Sequence, residues 1–433
     1  MALTGRAPLL VLLGVVLVVA WPSWTACWVW LAVSASLVGF DVALAGSPRA
    51  LALARAPLAS VRLGEPREAD LLVTNTSRRT VTGTLRDAWQ PSAGARGERH
   101  ALALPAGERR RLQTVLVPTR RGDRLADRVT VRTRGPLGLA GRQRSTGLPG
   151  RLRVLPPFTS RKHLPSRLAR LRELDGRSAV MHRGQGTEFD SLRDYVDGDD
   201  VRSIDWRATA RRNAVVVRTW RPERDRRVLF VVDTSRTAAA RIGGELLEVR
   251  LDAAIEAALL TAALAARAGD RVDLLAADRR IRARVRSSSR SDLLPTLVEA
   301  LAPLEPSLVE ADWDLVATQV RGMARQRCLV VLLTALDTSV LDSGLLTVLE
   351  QLAARHTVVL AAVDDPALGQ LARSRATSEE VYIAAAAEAA AAQRNRTAEL
   401  LARLGVEVVH AGPEELAPAL ADRYLALKAA GRL

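Results

Sequence analysis

The first 46 residues constrain this chain more than any other feature. Pro8 to Trp21 is an unbroken apolar run, Pro22-Ser23 interrupts it, and Trp24 to Gly46 resumes it with Asp41 near the far end. A helix needs about 20 apolar residues to cross hydrocarbon. The second run meets that length, and the first meets it only by borrowing its N-terminal flank. The pattern predicts a transmembrane helical hairpin over residues 1–48. Trp21, Trp24, Trp28 and Trp30 crowd the turn, where amphipathic indoles favour the membrane interface. Arg6 precedes the first run, while Arg49, Arg55, Arg62 and Arg67 follow the second. The positive-inside rule then places both termini and the bulk of the chain in the cytoplasm, held at the inner membrane against its lipid. A cleaved signal peptide with Arg6 as its basic start and Leu9 to Ala20 as its apolar stretch competes with this reading. It lacks a small-x-small cleavage site after Ala20, and a second apolar run follows at once.

At 433 residues the chain has room for two or three domains. Its formal charge of +16 and pI near 11.2 raise an Arg-driven nucleic-acid binder as one function class. Lys162 and Lys428 are the only lysines, and only 3% of residues are aromatic. A binder of single strands stacks bases on aromatic rings, so an Arg-rich compositional bias together with inner-leaflet attraction explains the charge better and no nucleic-acid partner is expected. Cys27 and Cys328 make neither a disulfide framework nor a metal-ligand spacing.

Residues 58–155 alternate short β-rich runs with turns. Ala69 to Thr74, Val81 to Leu85, Leu112 to Val117, Val129 to Thr133 and Leu152 to Leu155 read as strands. Asn75-Thr76-Ser77, Pro105-Ala106-Gly107 and Arg120-Arg121-Gly122-Asp123 read as turns. This spacing predicts a small β-sandwich serving as spacer or binding module.

Residues 156–227 carry a stretch that mixes both charge signs with aromatics, Gly184-Gln185-Gly186-Thr187-Glu188-Phe189 through Tyr195, then Gly198-Asp199-Asp200 through Arg207. Asp194, Asp197, Asp199, Asp200 and Asp205 lie among Arg193, Arg202, Arg207, Arg211 and Arg212, so the charges can compensate locally. One reading is a salt-bridged segment packed on the next domain. The other is a docking surface for a protein partner, since Arg and aromatic side chains anchor interfaces; its candidates are Glu188, Phe189, Arg193, Tyr195, Asp199, Asp200, Arg202, Asp205, Trp206 and Arg207.

From residue 228 to 433 strands and helices alternate, which predicts a parallel sheet covered on both faces. The strands are Val228 to Val232, Val272 to Ala276, Cys328 to Leu333, Thr357 to Val363 and Val406 to His410. Helices span Glu245 to Ala268, Ser291 to Leu301, Asp312 to Arg325, Val340 to Ala354, Glu379 to Leu404 and Pro413 to Ala429. Ligands of such sheets sit at the carboxyl ends of the strands, which directs attention to Asp233-Thr234-Ser235-Arg236-Thr237.

The run from Gly184 to Arg212, followed by a strand ending in Asp233-Thr234-Ser235, resembles the domain-of-unknown-function 58 family. The Arg120-Arg121-Gly122 turn, Gly135-Pro136-Leu137-Gly138-Leu139 and the N-terminal hairpin agree with it. The resemblance implies a Rossmann-like α/β domain similar to von Willebrand factor A domains. It also implies a MoxR-type AAA+ ATPase as partner, with a role in assembly or maturation of other proteins. In a von Willebrand A domain an Asp-x-Ser-x-Ser loop, a Thr from a second loop and an Asp from a third hold a divalent cation. Asp233, Ser235 and Thr237 match the first loop and are the candidate ligands for Mg²⁺, a hard ion that takes six oxygens. The other loops depart: Leu333-Thr334-Ala335-Leu336 stands where the family's strand ends in Ser-Asp, with Asp337 displaced. Glu310-Ala311-Asp312-Trp313-Asp314 stands where the metal-site Thr is expected.

A metal-dependent hydrolase or phosphatase centred on Asp233 is the alternative function. Dehalogenase-type phosphatases use Asp-x-Asp-x-Thr, with the first Asp as nucleophile and the second as acid/base. Here Ser235 replaces the second carboxylate, and no lysine lies between Lys162 and Lys428 to steady a phosphoryl group. His182, His356 and His410 are isolated, with no Gly-rich phosphate loop. No catalytic residue is assigned, and the expected function is non-enzymatic: a membrane-anchored interaction or scaffold protein.

Overall fold

The computed structural model describes residues 2–181, 188–197, 199–212, 214–221, 226–243, 248–286, 292–337 and 341–433. Of the docking motif, Gly184 to Thr187 and Gly198 lie outside the described residues, as does His182. The chain divides into two compact units, Met1–Pro157 and Phe158–Leu433.

In the first unit, strand β1 (Ala2–Leu3) leads into helix α1 (Arg6–Ala20) and helix α2 (Trp24–Leu44). Ser23 starts α2 by accepting the Ala26 N–H at 3.2 Å. The helices meet where α1 is smallest. A Cβ on Gly14 would stand 2.2 Å from the Trp30 ring, and the Trp30 indole donates to the Leu10 carbonyl at 3.2 Å. The segment Trp24–Ala50 is long and apolar enough to cross a membrane; Arg6–Ala20 is apolar but shorter.

The strands that follow are β2 (Leu51–Arg55), β3 (Val61–Arg62), β4 (Arg67–Asn75), β5 (Val81–Trp89), β6 (Ala95–Arg96), β7 (Arg99–Leu104), β8 (Arg109–Leu116), β9 (Gly122–Thr133), β10 (Ala140–Gly141) and β11 (Gln143–Leu155). They form one sheet in the order β2-β4-β8-β6 and another in the order β3-β11-β9-β5-β7. The two share a core: Leu51, Leu71, Val73 and Leu112 from the first meet Val81, Leu85, Leu102, Leu104, Val129 and Val131 from the second. Alternation of buried and open positions along β4 is the period-2 signature of half-buried strands. A buried ion pair also joins the sheets. Arg55 on β2 donates twice to Asp87 on β5, at 2.6 and 3.0 Å, and Trp89 donates to the same carboxylate at 2.9 Å. Strands β2 and β7 escape the sequence pattern because alanine instead of a polar residue fills outward positions (Ala52, Ala54, Ala101, Ala103) and blurs the alternation about the inward leucines.

The end of α2 is fastened to the loop between β9 and β10. Asp41 is fully buried there and accepts the backbone N–H groups of Leu137, Leu139 and Ala140 at 2.7–2.8 Å. Gly135 has to be glycine at this spot, since a Cβ would lie 2.2 Å from the Asp41 carboxylate. Thr4 donates to the Gly138 and Leu139 carbonyls, β1 pairs antiparallel with β10, and Arg142 Nε donates to the Val42 carbonyl. The start of α1 and the end of α2 are therefore pinned to one loop.

The second unit opens with α3 (Leu164–Met181), then β12 (Glu188–Asp194), α4 (Trp206–Arg212) and β13 (Val216–Arg221), of which β12 and β13 pair antiparallel. There follow β14 (Arg227–Asp233), a short ribbon of β15 (Arg241–Ile242) and β16 (Glu248–Val249), α5 (Arg250–Arg267), β17 (Arg271–Ala277), β18 (Ile281–Val285), α6 (Leu293–Leu301), α7 (Trp313–Met323) and β19 (Leu329–Leu333). The chain ends with α8 (Leu346–Ala353), β20 (Thr357–Val363), α9 (Pro366–Leu371), α10 (Ser378–Arg403), β21 (Val406–Ala411) and α11 (Leu416–Ala429). Six strands form one sheet in the order β18-β17-β14-β19-β20-β21. Its central strands are buried along nearly their whole length, as continuous apolar runs require. Leu229 and Val231 of β14 face Trp313, Val316 and Val320 of α7 and Leu349 of α8. The alternate residues Val228, Phe230 and Val232 point the other way; α5, buried at Leu251, Ile255 and Leu259, also packs on β14.

The expected all-parallel sheet needs one correction. Strand β18 runs antiparallel to β17 at the edge, after a tight turn at Asp278–Arg280. Its sequence, Ile281-Arg282-Ala283-Arg284-Val285, alternates arginine with apolar residues because an edge strand carries solvated side chains, so no continuous apolar run marks it.

Candidate functional site

The strand order reverses between β14 and β19, and the carboxyl ends of strands at such a reversal are the usual ligand position in these sheets. Val232 and Leu333 are register partners, which puts Asp233 beside Thr334. Thr334 donates its hydroxyl to Asp233 Oδ2 at 2.6 Å, and Thr237 donates to the same oxygen at 2.9 Å. The Ser235 N–H donates to Oδ1 at 2.7 Å, and the Ser235 and Thr237 hydroxyls lie 3.2 Å apart. All four residues are buried. The structure thus brings together the three predicted ligands and adds Thr334, which sequence reading noted only as a departure.

The oxygens are hard donors of the type Mg²⁺ takes, yet the set does not fit a divalent cation. It has one carboxylate, and both of its oxygens already accept hydrogen bonds, two from hydroxyls whose protons point at it. Arg250 adds positive charge nearby, donating to the Thr237 carbonyl at 3.1 Å and lying 3.6 Å from Asp337. The residues of the other two expected loops are occupied elsewhere. Asp337 faces Arg250, Glu310 pairs with Arg236 at 2.9 Å, and Asp312 caps α7 through the Leu315 N–H at 2.8 Å. No group of three or more His, Cys, Asp or Glu side chains converges in metal-binding fashion among the described residues.

One strand over, sequence reading missed a second buried carboxylate. Asp278 follows β17 and accepts from Ser307 Oγ, Thr234 Oγ1 at 3.3 Å, Arg282 Nε at 2.6 Å and the Arg280 N–H at 3.0 Å. Burial pushes its pKa up, but the Ser307 and Arg282 hydrogen bonds and the Arg280 N–H together hold it below the ordinary value. Cys328 and His356 also meet, Sγ to Nδ1 at 3.6 Å. Burial pushes the thiol up to about 12, and burial followed by the charges of Arg355 and Arg327 lowers the imidazole. A thiol this hard to ionise is a poor nucleophile.

The predicted docking segment forms its own small module. β12 and β13 pair only with each other among the described strands, and α4 packs on β13. Three of its acidic residues have a local task. Asp199 takes a two-pronged hydrogen bond from Arg193, at 2.5 and 2.7 Å, and the Val196 N–H at 3.0 Å, closing the turn. Asp200 accepts the Arg202 N–H at 3.0 Å. Asp205 caps α4 through the Arg207 and Ala208 N–H groups, both at 3.0 Å, and pairs with Arg218 at 2.7 Å. The Arg193 hydrogen bond, then the Val196 N–H, lowers the Asp199 pKa; the Ala208 N–H, then Arg218, lowers that of Asp205. Glu188 and Phe189 lie on β12 opposite Arg221 and Trp220. Tyr195 is half-buried, while Arg193, Arg202 and Arg207 are exposed. Trp206 is 67% exposed, Val201 62% and Val196 61%, so large apolar groups face outward while the charges are satisfied from within.

The first unit is an N-terminal apolar helix region with two facing sheets, and the second is a mixed α/β sheet body. Residues 191–400 match the family described as "Protein of unknown function DUF58". The uncharacterized proteins Mb1516 of Mycobacterium bovis and Rv1480 of Mycobacterium tuberculosis are each 32% identical to it over 187 residues, or 42% of this chain. It covers 56% of their length, so the chain spans about half of the curated relatives it matches. Among solved structures, the SpRpn10 VWA domain is similar at 11% identity with a TM-score of 0.27, over 47% of this chain and 94% of that domain. A score that low carries no argument about fold, and the architecture rests on this chain's own strand order.

Proposed function

We propose that this chain is a membrane-tethered, non-enzymatic interaction protein whose docking surface is the β12–α4–β13 module. α1 and α2 act as a transmembrane hairpin with both ends cytoplasmic, the two facing sheets as a β-sandwich spacer, and the six-stranded body as a von Willebrand A-like domain. Within the module, Asp199 and Asp205 are spent on turns, caps and internal pairs, leaving Trp206, Val201 and Val196 exposed together with Arg202 and Arg207. That single observation carries the reading, because an exposed aromatic next in the chain to an exposed arginine is what a protein partner buries at an interface centre. The partner implied by the DUF58 resemblance is a MoxR-type AAA+ ATPase. The Asp233 cluster acts as a strand-end clasp without Mg²⁺, and the hydrolase alternative has little support, since the Asp233 carboxylate is buried and fully engaged.

Affinity capture from detergent extract tests this. The wild-type chain is expected to enrich a MoxR-type ATPase, and Trp206→Ala to lower its recovery about tenfold or more, the effect of losing a central aromatic anchor. Equal recovery with both chains, or no ATPase with either, would sink the proposal.

A further inference from the structure

Residues 1–157 hold 23 arginines against 9 acidic residues, so +14 of the formal +16 sits on the unit that carries the apolar helices. The charge is also arranged. On the flanks of the two sheets several arginines are drawn onto carboxylates, as in Arg86 with Glu98, Arg111 with Asp70, and Arg151 and Arg153 with Asp123, while others, Arg67, Arg96 and Arg99 among them, stay exposed. Five more gather near the base of α1 and α2. Arg6 and Arg134 flank Gly138, where a Cβ would stand 3.2 Å from Arg6 Nη1 and 3.6 Å from Arg134 Cδ. The turn bearing Arg78 and Arg79 lies against the chain leaving α2, since the Thr76 N–H and hydroxyl both bond the Ala50 carbonyl at 2.8 Å, next to Arg49. These five arginines are exposed and have no carboxylate partner among the described residues. Leu3, 62% exposed, and Leu137, 44% exposed, project from the same base.

We infer that this basic collar is a docking surface for anionic phospholipid headgroups, an inference that rests on the proposed membrane insertion of α1 and α2. The collar lies beside the start of α1 and the chain leaving α2, so whatever it binds must tolerate apolar neighbours on one side and bring phosphate on the other. A headgroup layer does both: its phosphates meet the guanidinium groups while Leu3 and Leu137 enter the apolar boundary. The clasp of Asp41 on the Gly135–Ala140 segment supplies rigidity, holding the collar at a fixed height on the helices instead of on a swinging linker. A nucleic acid would find the phosphate-binding charge here but nothing to stack its bases on.

The test uses the full chain reconstituted into vesicles of equimolar phosphatidylcholine and phosphatidylglycerol, followed by mass spectrometry of the lipid retained after mild delipidation. The wild-type chain is expected to retain phosphatidylglycerol over phosphatidylcholine by roughly fivefold. Arg78→Gln/Arg79→Gln/Arg134→Gln, which removes only exposed side chains, is expected to bring retention close to the bulk ratio while still floating with the vesicles. High salt should weaken the wild-type preference in the same direction. A wild-type chain that floats but retains the bulk ratio, or a triple variant that keeps the enrichment, overturns the headgroup proposal alone. A chain that fails to float overturns the membrane reading beneath it as well.

Discussion

Asp87 shows what one side chain does when two sheets close over it. It is fully buried on β5, it takes both prongs of Arg55 from the opposite sheet, and it accepts the Trp89 indole N–H, while the Arg55 guanidinium lies 5.0 Å from the Trp89 ring centre. Desolvating two ions is costly, so the intact pair need not outperform a packed apolar pair. Breaking it is a different matter, because one charge is left buried without its counter-ion. Asp87→Ala is therefore expected to destabilise the first unit by about 3–5 kcal/mol, measured by denaturant unfolding of the full chain in detergent. Asp87→Ala/Arg55→Leu should recover much of that loss, since it removes both charges together. A double variant no more stable than Asp87→Ala would show that the pair is not the source of the effect.

At the scale of elements, the β12–α4–β13 module is held by carboxylates acting as caps and turn closers, which makes its stability pH-dependent. Asp199 and Asp205 have pKa values lowered below the ordinary 3.8, the first mainly by Arg193 and the second mainly by the Ala208 N–H. A group depressed in the folded state contributes fully above its unfolded value and loses that contribution as pH falls through the folded one. Protection of the Val196, Arg207 and Ala208 amides against hydrogen exchange is thus expected to hold at neutral pH and to drop below 3.8. Protection that survives until the six-stranded sheet itself unfolds would contradict this account. The same elements show what was legible in advance. Val228 to Val232 and Thr357 to Val363 stood out because a strand buried on both faces must be apolar without a break, and their bounds fall within a residue of those observed. Strands β2, β7 and β18 were hidden because arginine and alanine at alternate positions dilute the signal. Asp233, Ser235 and Thr237 were grouped by their match to the loop that the family resemblance implies. Thr334, 101 positions from Asp233, joins its cluster through sheet register, and Ser307, 29 positions from Asp278, through the loop between α6 and α7; no local pattern encodes either.

For the whole molecule, the decisive question is whether the sheet's switch point is a binding site or a clasp. A cation bound only by the folded chain would add RT ln(1 + [L]/Kd), about 2.7 kcal/mol at a hundredfold excess over Kd, and would raise the melting temperature with concentration. A clasp built from hydroxyls donating to a carboxylate has no such term. Its worth lies in joining β14 to β19, and that worth is the same whatever ions are dissolved. Asp233→Asn removes the charge that Thr237 and Thr334 donate to, at an expected cost of about 1–3 kcal/mol. The prediction is that this loss, read from denaturant midpoints, is equal with and without Mg²⁺, and that Mg²⁺ leaves the wild-type midpoint where it was. Stabilisation by Mg²⁺ that appears in the wild-type chain and vanishes in Asp233→Asn would mean that the hydroxyls can turn their protons away and share their lone pairs with a metal. In that case the switch point would be a working centre, and recognition by the exposed module could no longer be the chain's sole activity.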